Sequence, residues 1–191
     1  PKAVDEYLSS IEKFSKQKSN EKILNPVWHI HNGSPPKEDI IMPFTMLLNI
    51  VGSSNAKSKD VLWKFIKKFH KELDPKTHTI LDGLTDYAIN YFIDRVEPNK
   101  KFKKPNENEK KALLNLIKVL KTVPQTTEAE KIQTAVYTVG KENGYSNDLR
   151  SWFKLIYEVT FGEENGPRMG FFISFFGVKE TIDLMEKKLR I

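Results

Sequence analysis

Cysteine is absent from the 191-residue sequence. That excludes a disulfide framework and thiolate metal ligands, and it is compatible with the cytoplasmic location we expect. No apolar run approaches the roughly 20 residues that a membrane span requires, so no membrane partner is expected. There is no phosphate-cradling glycine loop and no serine or cysteine nucleophile motif. The adjacent carboxylates Glu163 and Glu164 fall in a loop, where two solvated acids are the ordinary reading. No internal repeat or low-complexity block occurs. The chain opens Pro1-Lys2-Ala3-Val4-Asp5 and goes straight into an amphipathic pattern, so we expect no signal peptide in it. A start at proline leads us to expect a fragment of a longer protein. Arginine is also scarce: of 31 basic residues only Arg95, Arg150, Arg168 and Arg190 are arginine. The ordinary reading of the scarcity is a coding bias toward lysine. Under such a bias the arginines that persist should include positions needing the planar five-donor fork, which lysine lacks.

What is present describes a globular helical protein. Hydrophobic residues make up 39% and charged residues 29%, which can build one domain with room for a small appendage. The net charge of +6 suggests a polyanionic partner without requiring one. The organising stretch runs from Asn147 to Leu189 around Gly166-Pro167-Arg168-Met169-Gly170. An amphipathic helix from Asp148 to Val159 stops at Gly162. Phe171-Phe172-Ile173-Ser174-Phe175-Phe176 follows the loop, and a closing helix runs from Val178 to Leu189. So many large apolar side chains in a short run should be buried, with other helices packed around them.

In chain order, Val4, Tyr7, Leu8, Ile11 and Phe14 place a helix over 4–15. Lys16 to Lys22 reads as flexible. Asn25 to Pro36 reads as a non-helical loop, with Val27 and Ile30 extended. Pro43 starts a helix that stops at Gly52. Ser58 caps the next, with Val61, Leu62, Phe65, Ile66 and Phe69 inward. A long helix opens at Thr77 and is ended by Pro98. Asn106-x-x-Glu109 and Thr127-x-x-Glu130 read as capping boxes, and the helix after the second stops near Gly144. Ser146 or Asn147 caps the organising hairpin. The expected fold is all-α, a bundle or cage of about eight to nine helices.

Two clusters carry candidate chemistry. His29-x-His31, with His70 or His78, could hold a metal, but the spacing lacks a helical pair and an acidic ligand; the alternative is that both rings satisfy loop backbone groups. Lys100, Lys101, Lys103 and Lys104 flank Phe102 in one loop, which suits phosphate contact plus base stacking. The alternative is a solvated charge run with Phe102 tucked onto the body. Arg150 and Trp152 open a helix; Trp152 is either core or a stacking platform. Arg168 follows the fixed φ of Pro167 and should sit on a rigid mount, either reading RNA or pairing with Glu163 or Glu164.

Val27-Trp28-His29-Ile30-His31-Asn32-Gly33, Pro43-Phe44-Thr45-Met46-Leu47-Leu48-Asn49, Tyr87-Ala88-Ile89-Asn90-Tyr91-Phe92, Val136-Tyr137-Thr138-Val139-Gly140-Lys141 and Gly166-Pro167-Arg168-Met169-Gly170 together resemble class I lysyl-tRNA synthetases. So does Ala129-Glu130-Lys131-Ile132-Gln133. The likeness runs in order over nearly the whole chain. It implies residues 1–38 as the end of a stem-contact or connector region and 39–191 as an α-helix-cage anticodon-binding domain. The family joins lysine to tRNA(Lys) with ATP, and this part would read the anticodon stem-loop. The HIGH-like and KMSKS-like motifs of the family's catalytic domain are missing from this chain. The resemblance therefore implies no ATP, magnesium or lysine site here and an inactive piece of an enzyme, with a monomer expected. Its implied partner is RNA; no short motif transfers individual contacts. The RNA-binding expectation for Arg168, Arg150, Trp152, Lys100, Lys101, Phe102, Lys103 and Lys104 rests on their own chemistry. A basic helical scaffold with no RNA role, and a metal hydrolase built on His29 and His31, are the alternative readings.

Overall fold

The structure is a computed structural model that describes residues 1–190; the last residue of the expected cage domain, Ile191, lies outside the described residues. Among the described residues there are eleven α-helices, nine of them of seven residues or more, and no strands, as the periodicity requires. They divide into two compact units. The first comprises Pro1–Val51 with Ala56–Phe92, the second Gly52–Asn55 with Ile93–Ile191. No helix among the described residues is long and apolar enough to cross a membrane.

The first unit contains α1 (Lys2–Lys16), α2 (Ser19–Lys22), α3 (Pro26–Ile30), α4 (Phe44–Ser54, its last turn counted with the second unit), α5 (Lys59–Phe69) and α6 (Thr79–Tyr91). Two helix starts are capped by acids distant in sequence. Asp5 accepts from the backbone N–H of Phe44 and, at 2.8 Å, from Thr45 Oγ1. Glu38 accepts from the N–H of Ile80 at 2.9 Å and from Thr79 Oγ1 at 2.8 Å. Negative charge at a helix start complements the exposed amides and the dipole. α6 therefore begins at Thr79, two residues later than Thr77.

Several expectations for this unit need correction. Residues 26–30 are helical, because Pro26 occupies the first helical turn, where its missing N–H costs nothing, and buried Asn25 accepts from the N–H of Val27 at 3.1 Å. Val27 is accordingly buried in a helix and not extended. Ser19–Lys22, expected to be flexible, forms one short helical turn. Gly52 lies inside α4, which continues to Ser54. On α5, capped by Ser58 as expected, Trp63 takes the inward place and Val61 stays 47% exposed. The indole Nε1 donates to Asp82 Oδ1 at 2.9 Å, and Asp82 also receives Lys59 at 2.8 Å. A tryptophan buries more apolar surface than a valine and here finds its polar partner, so it wins the face.

After α6 the chain passes through a π turn, Phe92–Val96, and a short 3₁₀ turn, Glu97–Asn99. The second unit then holds α7 (Glu107–Thr122), α8 (Ala129–Gly140), α9 (Leu149–Thr160), α10 (Met169–Phe176) and α11 (Val178–Leu189). α7 carries the expected box in full: Asn106 and Glu109 each accept the other's N–H at 2.9 Å. The second expected box does not form. α8 starts at Ala129 with Glu128 as its N-cap residue and no side-chain cap. Thr127 therefore lies one position too early for the box; its N–H donates to the Pro124 carbonyl at 3.0 Å, and Glu130 pairs with Arg168. α8 ends at Gly140 and a further π turn, Lys141–Tyr145, follows. Asp148, rather than Ser146 or Asn147, caps α9 by accepting from the N–H of Ser151 at 3.0 Å.

The most extensive helix–helix contact is between α8 and α10. Gly170 makes it possible: a Cβ there would collide with the Ala129 carbonyl oxygen and stand 2.6 Å from the Gln133 Cβ. The buried Gln133 Oε1 accepts the Gly170 N–H at 2.7 Å. Phe172, Phe175 and Phe176 are buried as expected, with Phe171 only half-buried. Phe161 meets Phe172 edge-on at 4.9 Å, and Phe172 stacks on Phe176 at 5.0 Å. Each such ring contributes about 1.5–3 kcal/mol of burial, so this hairpin is the apolar centre of the second unit.

Candidate nucleic-acid interface

The lysine loop is built on the last turn of α9 and on Gly162, two residues past its end. The Lys101 N–H donates to the Gly162 carbonyl at 2.9 Å and the Lys103 N–H to the Glu158 carbonyl at 3.1 Å. A helix leaves its final carbonyls without partners, and the loop supplies them. Gly162 adopts φ +73°, and both Lys100 Cβ and Phe102 Cζ stand 3.2 Å from where its Cβ would be. A side chain at 162 would be strained and would push the loop away. With alternate amides directed at α9, Lys100 and Phe102 lean onto the protein while Lys101 and Lys104 are exposed.

The four lysines are therefore unequal. Lys103 is 2.7 Å from Glu109 and 3.8 Å from Glu158, and its pKa is raised by the hydrogen bond to Glu109. Lys100 is 88% covered, since its side chain keeps only 12% exposure, and stands 3.8 Å from Glu163. Burial pushes its pKa down and that of Glu163 up, so for both groups desolvation outweighs their long pairing. Phe102 is 45% exposed. Lys188 of α11 places its Nζ 3.5 Å from the ring centroid, and Lys100 reaches within 6.0 Å. A cleft of about 580 Å³ adjoins the loop, lined by Asn99, Lys101, Glu158, Gly162, Glu163, Glu164 and Asn165.

Arg168 is exposed and sits immediately before α10, where its carbonyl accepts the Phe172 N–H at 2.9 Å. The preceding carbonyl, of Pro167, accepts from Tyr157 Oη at 3.0 Å. Burial pushes the Tyr157 pKa up to about 12, with a smaller contribution from Tyr137. The mount is thus held on both sides. Its acidic partner is Glu130 at 2.5 Å, not Glu163 or Glu164, because Glu163 faces Lys100 and Glu164 pairs with Lys154 at 3.2 Å.

Two other candidates lie apart from the loop. Arg150 is exposed in the first turn of α9, about 12 Å along the axis from Glu158, at 1.5 Å per residue. Trp152 is fully buried, donating from Nε1 to the Val136 carbonyl at 2.9 Å, and no base can reach its ring in this conformation. Arg95 is exposed on the π turn. His29 Nε2 bonds to the nearby Ile23 carbonyl at 2.7 Å, whereas His31 Nε2 bonds to the side chain of Tyr7, at Oη, at 2.8 Å. Among the described residues, no group of three or more His, Asp or Glu side chains is arranged to hold a metal ion. Sequence reasoning missed Lys187 and Lys188, whose adjacency near the end of α11 was the available signal.

No family model matches the chain. Whole-sequence comparison does find relatives. A lysine–tRNA ligase of Rickettsia felis is 40% identical over 191 residues, 99% of this chain and 36% of that protein. The chain is similar to part of a lysine–tRNA ligase. The lysine–tRNA ligases of Roseobacter denitrificans and Rickettsia bellii are each 39% identical, again over 99% of this chain and 36% of theirs. The chain thus spans about a third of the length of the curated lysine–tRNA ligases it matches. Identity of this level over the full chain bears on the whole helical framework above rather than on one short motif.

Proposed function

We propose that this chain is the tRNA-reading part of a class I lysine–tRNA ligase, with an anticodon stem-loop of tRNA(Lys) as its partner. Residues 1–38 would then close the stem-contact region, and the rest would form the anticodon-binding helical cage. The observation that carries the reading is the lysine loop, anchored by backbone bonds to α9 and presenting Lys101 and Lys104 outward beside the half-exposed Phe102. Arg168 on its braced mount is the residue best placed for directional contact with a base or phosphate. Arg150, exposed in the first turn of α9, is a further candidate cation, and Trp152 contributes as a core residue of that helix. Lysine activation with ATP and magnesium would belong to the catalytic part of the enzyme, in the cytoplasm.

The test is tRNA binding by the 191-residue chain across a salt series. Each phosphate contact contributes somewhat under one unit to the slope of log affinity against log salt. Lys101→Gln with Lys104→Gln should flatten the slope by one to two units on any tRNA. Lys103→Gln should change it far less, since that ammonium is held by Glu109. The same preparation should show no lysine-dependent pyrophosphate exchange. An unchanged slope in the double variant would remove the loop from the interface.

A further inference from the structure

We infer that Lys100 and Lys188, mounted against Phe102 and flanked by Lys101 and Lys187, form a site for a phosphodiester group, in which the aromatic ring is a mount and not a platform for a base. The inference rests on the RNA reading for its natural ligand, while the site itself is defined by this chain alone.

The geometry argues against stacking on the ring face that carries Lys188. An ammonium 3.5 Å from the centroid occupies the place a base would take, and expelling it forfeits a cation–π contact. The loop and α11 together set the second cation against the same ring, with Lys100 Nζ 6.0 Å from its centroid. Lys100 gets there because its stem packs at Gly162, where no Cβ intervenes. The charge balance favours an anion. Glu163 faces Lys100 at 3.8 Å and Glu97 also attracts it, whereas Glu158 and Glu164 are engaged by Lys103 and Lys154. Lys101 and Lys187 are exposed at the rim. Burial lowers the pKa of Lys100 and of Lys188, and for Lys188 the repulsion from Lys100 and Lys187 adds to it. Two partly desolvated, mutually repelling ammonium groups are stabilised by an anion placed between them. Lysine serves phosphate as a compact point charge and needs no bidentate geometry, which suits a contact to the sugar–phosphate backbone.

The experiment uses inorganic pyrophosphate and a tRNA(Lys) transcript as probes. Titration of the ¹⁵N-lysine-labelled chain with pyrophosphate should shift the side-chain signals of Lys100 and Lys188, and Lys188→Gln should weaken binding at least tenfold. Lys188→Arg should restore it. On the transcript, Lys188→Gln should flatten the salt slope by just under one unit, as for one phosphate contact. Phe102→Leu, which keeps an apolar mount, should change tRNA affinity by less than threefold. Pyrophosphate binding that leaves Lys188 unshifted, or an unchanged slope in Lys188→Gln with tRNA bound, would overturn the site. A loss of more than tenfold in Phe102→Leu would overturn the assignment of the ring as a mount. If pyrophosphate shifts both lysines while the transcript does not bind at all, the oxyanion site stands and the tRNA reading falls.

Discussion

Arg168→Lys keeps the charge and removes the guanidinium fork, so it separates reading RNA from holding the fold. The Arg168 and Glu130 side chains are 60% and 72% exposed. Exposed pairs are worth about 0–1 kcal/mol, and lysine can still reach a carboxylate, so the change should cost no more than about 0.5 kcal/mol. For a chain of this size that is a shift of roughly 1–2 °C in melting temperature. The contact to Glu130 uses one guanidinium nitrogen, Nη2. If the fork reads a base, discrimination between cognate and anticodon-swapped transcripts should fall by about 1–3 kcal/mol, by analogy with bidentate base contacts in DNA. Glu130→Gln supplies the control. It takes away the acidic competitor, so tRNA affinity should hold or rise while stability moves as little as in Arg168→Lys. Thermal melting and filter binding on paired transcripts read both quantities. An Arg168→Lys protein that melts several degrees lower, with its anticodon preference intact, would refute the reasoning and make Arg168 a structural residue.

Gly170→Ala should be among the most damaging small substitutions. The new methyl collides with α8 and separates Gln133 from the Gly170 amide. Overpacking and the lost buried hydrogen bond together should cost about 2–5 kcal/mol in urea unfolding, and a loss below about 1 kcal/mol would contradict the close packing described. Tyr157 carries a pH signature. Its folded pKa, about 12, lies above the ordinary tyrosine value of 10.0. The contribution of its neutral hydroxyl is therefore complete below pH 10 and declines as pH rises from there through about 12. Absorbance titration at 295 nm should show a late-ionising tyrosine that disappears in Tyr157→Phe, with a shallower alkaline loss of stability. Identical titration of the two proteins would exclude that assignment.

The placement of charge also explains why the candidate interface was only partly legible. Lysine spacing identifies a basic loop, but nothing local distinguishes Lys103 from Lys104. The difference arises because Glu109, the capping residue of α7, lies within reach of one and not the other. Arg168 shows the same limit. Its nearest acids in sequence are Glu163 and Glu164, yet these turn to Lys100 and Lys154, and a residue on α8 becomes its partner.

By itself the sequence determined what depends on neighbours a few residues away. Apolar spacing of three and four set the long helices, and Asn106-x-x-Glu109 and Ser58 set two of their starts. The phenylalanine-rich hairpin announced the apolar centre of the second unit. The extended resemblance to lysyl-tRNA synthetases, carried by several segments in order, anticipated the relatives found. The tertiary structure alone decided whatever depends on groups far apart in the chain. Asp5 and Glu38 cap helices about forty residues away, Trp63 displaces Val61 because Asp82 offers its indole a partner, and Glu130 pairs with Arg168. Lys188 reaches Phe102 for the same reason. Hydrogen-bond and charge partners are chosen by distance in space, which sequence separation does not encode, whereas helix periodicity and box caps are geometric properties of a single turn.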